Sequence, residues 1–235
     1  MQRLIQLSIT DFKLIFRDPS LRIFLAMPLL IFAVVLLAVP MLVETFAGVE
    51  AYIPLILMGA TIQTSTMFGF IYSFVLIDEK DIGVSHVYGV LPVSKTGFVA
   101  SRMVIPFVLS TLMTLVLLIV QPFYSFTILP TILLSILCGL LAPLLTIIVT
   151  ILSRNKMEGM TWFKLVNLLV SIPLAAFFIP NYALLFGVIP THWAFQMLSD
   201  MVDGGTWGLG FSIGLVYTLG LLAIGIRRFA RVHFA

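Results

Sequence analysis

Six apolar stretches separated by short polar segments organise the chain: residues 23–43, 51–77, 103–120, 128–152, 165–180 and 207–226. A helix needs roughly 20 residues to cross a hydrocarbon core of about 30 Å, so the pattern predicts six transmembrane helices. The fifth stretch is the shortest and is interrupted by Pro173. After it, residues 181–206 are apolar but punctuated by Pro180 and Pro190, which suits extracellular re-entrant or interfacial pieces. Residues 1–19 follow a different rhythm. Ile5, Ile9, Phe12 and Phe16 share one helical face, and Arg3, Gln6, Thr10, Lys13 and Arg17 share the other. Such a segment reads as an amphipathic elbow helix lying in the cytoplasmic interface, ended by Asp18-Pro19.

Composition sharpens this picture. Of 235 residues, 61% are hydrophobic and only 10% charged, with a mean hydropathy of +1.18. A soluble domain of that length could not cover its surface, so the chain is read as an all-α polytopic membrane protein forming one domain, 1–235. A single cysteine, Cys138, excludes an internal disulfide framework. No cleavable signal peptide is expected, because charged residues and no short apolar region precede the first long run. All 13 lysines and arginines fall in the terminal segments or the loops after spans two and four. The opposite loops carry only Glu44, Glu50, Asp200 and Asp203. The positive-inside rule therefore predicts both termini in the cytoplasm, as in the plasma (inner) membrane of a prokaryote.

One string in the loop after span two invites a wrong reading. Gly89–Thr96, "GVLPVSKT", lacks only the second glycine of a phosphate-binding loop, Ser94 standing in its place. A working P-loop needs a strand before it and a helix after it, so that backbone amides can wrap the phosphates. Here the string lies in a connector of 25 residues between two spans, 78–102, and Pro92 removes an amide. The chain is not expected to bind ATP itself.

The connector instead resembles something that works with ATP. "DEKDIGVSHVYGVLPVSKTGFVASR" is similar to the first cytoplasmic loop of type V (ABC-2-type) ABC exporter permeases. Glu79, Lys80, Asp81, Gly83, Pro92, Val93, Ser94, Lys95 and Arg102 fall on that pattern, with Val84 and His86 departing from it. "FRDPS", "SRNKMEGMTWFKLVN" and "VIPTHWAFQML" resemble three further patches of the same family, in the same order. The resemblance implies a permease subunit that pairs with a second permease, identical or not, and with a separately encoded ATPase. That ATPase would hold ATP and Mg; no cofactor and no nucleic acid is implied for this chain. The resemblance makes Glu79, Lys80, Asp81, Gly83, Val87, Tyr88, Leu91 and Pro92 the ATPase-coupling loop, in which Glu79 and Asp81 would offer carboxylates to the ATPase and Val87, Tyr88 and Leu91 an apolar surface for its groove.

The apolar runs contain no Lys, Arg, Asp, Glu or His, the groups that proton- and ion-driven carriers place on their path, so the driving force is expected to come from outside this chain. His86, His192 and His233 are expected outside the core, and no residues have the spacing of metal ligands or a catalytic dyad. Polarity concentrates in span two at Thr61, Gln63, Thr64, Ser65 and Thr66, where Gln63, Thr64 and Ser65 are candidates for a substrate path. Gln63 either lines a cavity or hydrogen-bonds across a helix interface. The expected cargo is lipophilic or amphipathic: a drug, a lipid or an apolar peptide. A haem- or polysaccharide-export permease, or a six-span enzyme or assembly factor without an ATPase, are the alternatives.

Overall fold

The computed structural model describes residues 15–16, 18–81 and 95–233, and among these the regular structure is all helical, in six membrane-length segments. Span one is composite: α1 (Pro19–Leu25), α2 (Met27–Ala33), a π-helical turn (Val34–Ala38) and α3 (Val39–Thr45). Asp18 starts it, its side chain accepting from the Leu21 amide at 3.4 Å, with proline next at the first helical position. Pro28 and Pro40, each lacking an amide proton, sit in the first turns of α2 and α3, where the span passes from one helical piece to the next. Gly48, at φ +92°, turns the chain back into span two.

Span two is α4 (Ile53–Asp81), 29 residues and so about 44 Å long. It is the axis of the bundle: 89% of its most apolar window is buried, against 17% in spans one and six. Span three is α5 (Lys95–Val120), and span four is α6 (Ile128–Gly139) followed by α7 (Leu141–Leu152). Between α5 and α6, the Gln121 amide ties the turn together, accepting from the Phe123 and Tyr124 amides at 2.8 and 3.0 Å. The α4–α7 seam is close because Gly69 has no side chain: a Cβ there would lie 2.8 Å from Leu145 Cβ. Across this seam the Thr146 hydroxyl donates to the Gly69 carbonyl at 3.2 Å.

Span five departs from expectation. It begins at Lys156 as α8 (Lys156–Ser171) and continues as a 3-10 turn, Ile172–Phe177, so it does not start near residue 165. Asn155 caps it, accepting from the Glu158 amide at 2.9 Å, while Glu158 accepts from the Arg154 amide at 2.9 Å. This reciprocal capping of the first turn outweighs the charges that made residues 156–164 read as loop. Lys156, Glu158 and Lys164 are therefore inside a membrane-length helix, correcting the view that every charge lies between spans. Lys164 is exposed, so its ammonium can reach back along the helix to the interface.

The segment after span five is a second 3-10 helix, Pro180–Val188, and then α9 (Pro190–Val202), which packs on α4, α6 and the last span, α10 (Gly208–His233). His192, expected at the margin, is wholly buried in α9, and neither ring nitrogen has a hydrogen-bond partner among the described residues. Burial holds its pKa below the usual histidine value. The described basic residues gather at one end of the bundle, where α4 and α7 finish and α5 and α8 begin. The opposite end carries Glu44, Glu50, Asp200 and Asp203.

Candidate functional site

At the basic end, the last turn of α4 places four consecutive charged residues where α5, α8 and the α7–α8 turn converge. Glu79 is 6% exposed and Arg102, two turns into α5, is 2% exposed. The Arg102 guanidinium grips the Glu79 carboxylate through both nitrogens, Nη2 to Oε1 at 2.6 Å and Nη1 to Oε2. Phe98, one turn earlier, lies beneath the guanidinium, 5.4 Å from ring centroid to Cζ. A fork-to-fork pair under an aromatic ring is rigid in both distance and plane. Next to it, the Lys80 ammonium donates to the Ser153 carbonyl at 2.9 Å, so α4 also holds the end of α7. Lys156 bridges Asp78 at 2.7 Å and Asp18 at 3.6 Å, joining α8, α4 and the start of span one.

Within this chain the Glu79 carboxylate pairs with Arg102, while Asp81, at the end of α4, is exposed. Glu79 and Arg102 flank the segment 82–94, so their pair ties together the two helices from which it emerges. Gly83, Val87, Tyr88, Leu91 and Pro92 lie outside the described residues, as does most of the amphipathic segment 1–19.

The second polar feature is mid-bundle. Gln63 is half-buried, and its Oε1 accepts from Asn167 Nδ2 of α8 at 3.4 Å and from the Thr66 hydroxyl at 3.4 Å. Asn167 Oδ1 has no partner, and Gln63 Nε2 donates to nothing among the described residues. The two amides thus keep one donor and one acceptor unused on the α4–α8 face. Thr64 and Ser65 are fully buried with unpartnered hydroxyls, whereas Thr61 and Thr66 satisfy theirs on the preceding turn. Gln63 alone of the three candidates is part-exposed. Asn167 was missed, although a lone amide in an apolar span is the same signal that singled out Gln63.

A hydrogen bond between membrane helices contributes on average about 0.6 kcal/mol. Asn167→Leu should therefore lower the melting temperature in nanodiscs by less than about 3 °C. A larger fall would show the amide pair to be structural glue.

Among the described residues, no three His, Cys, Asp or Glu side chains are grouped to hold a metal. Comparison with known proteins gives a consistent picture. The family described as "Fluoroquinolones export permease protein Rv2686c-like" matches residues 11–226. Two curated relatives from Mycobacterium tuberculosis match at 27% identity over 235 aligned residues, covering 95% of this chain and 92% of theirs. They are the fluoroquinolones export permease proteins MT2760, of strain CDC 1551 / Oshkosh, and Rv2686c, of strain ATCC 25618 / H37Rv. No solved structure matches.

Proposed function

The chain belongs to the Rv2686c-like family of fluoroquinolone export permeases, and from that premise we propose that it is the membrane subunit of an ATP-driven drug exporter. The observation that carries the reading is the Glu79–Arg102 clamp beneath segment 82–94, the stretch that resembles an ATPase-docking connector. A connector coupled to the spans needs a stiff base, and a buried bidentate pair between α4 and α5 provides one. ATP and Mg would be held by a separate ATPase chain, which docks on Asp81 and on the apolar residues Val87, Tyr88 and Leu91. Movement of the connector then reaches α4, the enclosed axis, and α5 together. Lys80 and Lys156 extend the same base to α7, α8 and span one.

The cargo is a lipophilic or amphipathic drug, with a fluoroquinolone as the first candidate because the curated relatives are named for it. It passes along the α4–α8 face, where Gln63 Nε2 can donate to a carbonyl and Asn167 Oδ1 can accept from an amine. Two permease subunits enclose the path, with the basic end and both termini in the cytoplasm. Because the apolar centres of the spans hold no titratable relay, the driving force is ATP and not a proton gradient. Inverted vesicles carrying the permease and its co-purified ATPase are expected to take up norfloxacin only with ATP, and to continue when an uncoupler is added. Uptake that stops with the uncoupler, or persists when the partner's nucleotide site is disabled, would overturn the proposal.

A further inference from the structure

At the acidic end, two cavities share a wall. The larger, about 640 Å³, opens between the facing ends of α5 and α6 and is mainly apolar, with Leu118, Ile119 and Ile132 in its lining. The smaller, about 250 Å³, is lined by Asp200, Trp207, Phe126 and the backbone of Gly204 and Gly205. Ser125 and Phe126 border both. The larger volume lies within the range of small-molecule sites.

The smaller cavity is built and not left over. Gly204, at φ +70°, ends α9 in a left-handed turn, and the Gly205 amide donates back to the Asp200 carbonyl at 2.7 Å. That turn sets the position of Asp200, whose Oδ1 accepts from Gln196 at 3.0 Å. Its other carboxylate oxygen accepts from none of the described residues. The Tyr124 ring stacks on Phe126 with centroids 5.6 Å apart. Burial, and then the charge of Asp203, raise the Tyr124 pKa, which places a second carboxylate within electrostatic reach. None of the loops at this end carries a lysine or arginine to neutralise these acids.

We propose that this pair of cavities is a binding site for an aromatic organic cation, its ring system in the apolar cavity and its charged nitrogen against Asp200 and Trp207. The chemistry selects that class. An unneutralised carboxylate beside aromatic rings attracts the weakly hydrated cationic end of a ligand and repels a molecule of net negative charge. An aliphatic lipid tail would fill the larger cavity but gain nothing from the smaller one. Resting on the reading of the chain as an export permease, the site deepens it: cargo carrying a protonated amine is held at the acidic end before release.

Ethidium, a flat, permanently charged ring system, is a suitable probe, titrated by fluorescence against the protein in nanodiscs, with empty nanodiscs as the blank. Asp200→Asn keeps the oxygen that accepts from Gln196, so the fold should survive, and binding is expected to weaken about tenfold. Trp207→Leu is expected to weaken it several-fold, Trp207→Phe less. Glu50→Gln, at an acid that lines neither cavity, should leave it within twofold. Affinity unchanged in both Asp200→Asn and Trp207→Leu, or a wild-type signal no larger than that of empty nanodiscs, would overturn the site. Drug efflux from cells separates the two readings. Asp200-dependent binding without any efflux leaves the site standing and removes the exporter; efflux with binding indifferent to both substitutions does the reverse.

Discussion

Glu79→Ala is expected to lower the stability of the folded protein by about 3–5 kcal/mol, because it removes the carboxylate that grips a buried guanidinium through both nitrogens. In nanodiscs this should appear as a fall of roughly 10 °C in melting temperature. Arg102→Ala should do comparable harm from the other side, with the stacking on Phe98 lost as well. The informative variant is the double replacement Glu79→Leu/Arg102→Leu. Two apolar side chains of moderate size commonly replace a buried ion pair at little cost, so most of the stability should return. Export should not return, because leucines pack without the fixed plane and distance of a bidentate pair. A double variant that is stable and exports drug at the wild-type rate would reduce the clamp to a structural contact. A wild-type melting temperature in Glu79→Ala would remove even that.

The second large effect is expected where α5 crosses α6. A Cβ on Gly139 would stand 2.0 Å from the Thr111 hydroxyl oxygen and 3.1 Å from Thr111 Cα. The first conflict is with a side chain that can be removed; the second is with backbone that must move. Gly139→Ala should therefore destabilise by about 3 kcal/mol, the upper end for overpacking a well-filled core. Adding Thr111→Ala should recover only part of that loss, since Thr111 Cα stays in place. Full recovery would show that the helices do not approach as closely as described, and Gly139→Ala with an unchanged melting temperature would show the same.

Much of this was legible in the sequence, for identifiable reasons. Long apolar runs have few alternatives in a bilayer, so spans one, two and four fall within a few residues of their predicted bounds, while span three begins early, at Lys95, and span six runs on to His233. Span five also begins early, because Lys156, Glu158 and Lys164 read as loop until Asn155 is seen capping the Glu158 amide and Glu158 the Arg154 amide. Capping is local geometry, and a hydropathy pattern does not register it. Glu79 and Arg102 were each recognised as features of the connector, but their pairing was not. They are separated by 23 positions, and only the antiparallel return of α5 along α4 brings them together. Asn167, inside the fifth apolar stretch, carries the same signal as Gln63, a lone amide among apolar residues. His192 was misplaced because nothing in a proline-broken segment announces that its second helix will be buried by three neighbours. The smaller acidic-end cavity rests on Gly204, whose left-handed turn is a conformational choice and not a compositional one.

The position of α4 also bears on how the chain is made. A segment leaving the ribosome enters the bilayer alone only if lipid suits its surface on every side. Span one meets that condition, being among the most apolar of the six and almost unenclosed in the finished fold. Span two does not. It is the least apolar of the six, carries Thr61, Gln63, Thr64, Ser65, Thr66 and Ser73 through its middle, and ends fully surrounded by protein. Its insertion is therefore expected to be efficient only when spans three and four are present to cover it, which truncations ending before and after α7 would test by glycosylation mapping. Assembly of this protein waits on its own centre, and a nascent chain that stops short of α7 exposes to lipid the one helix least suited to it.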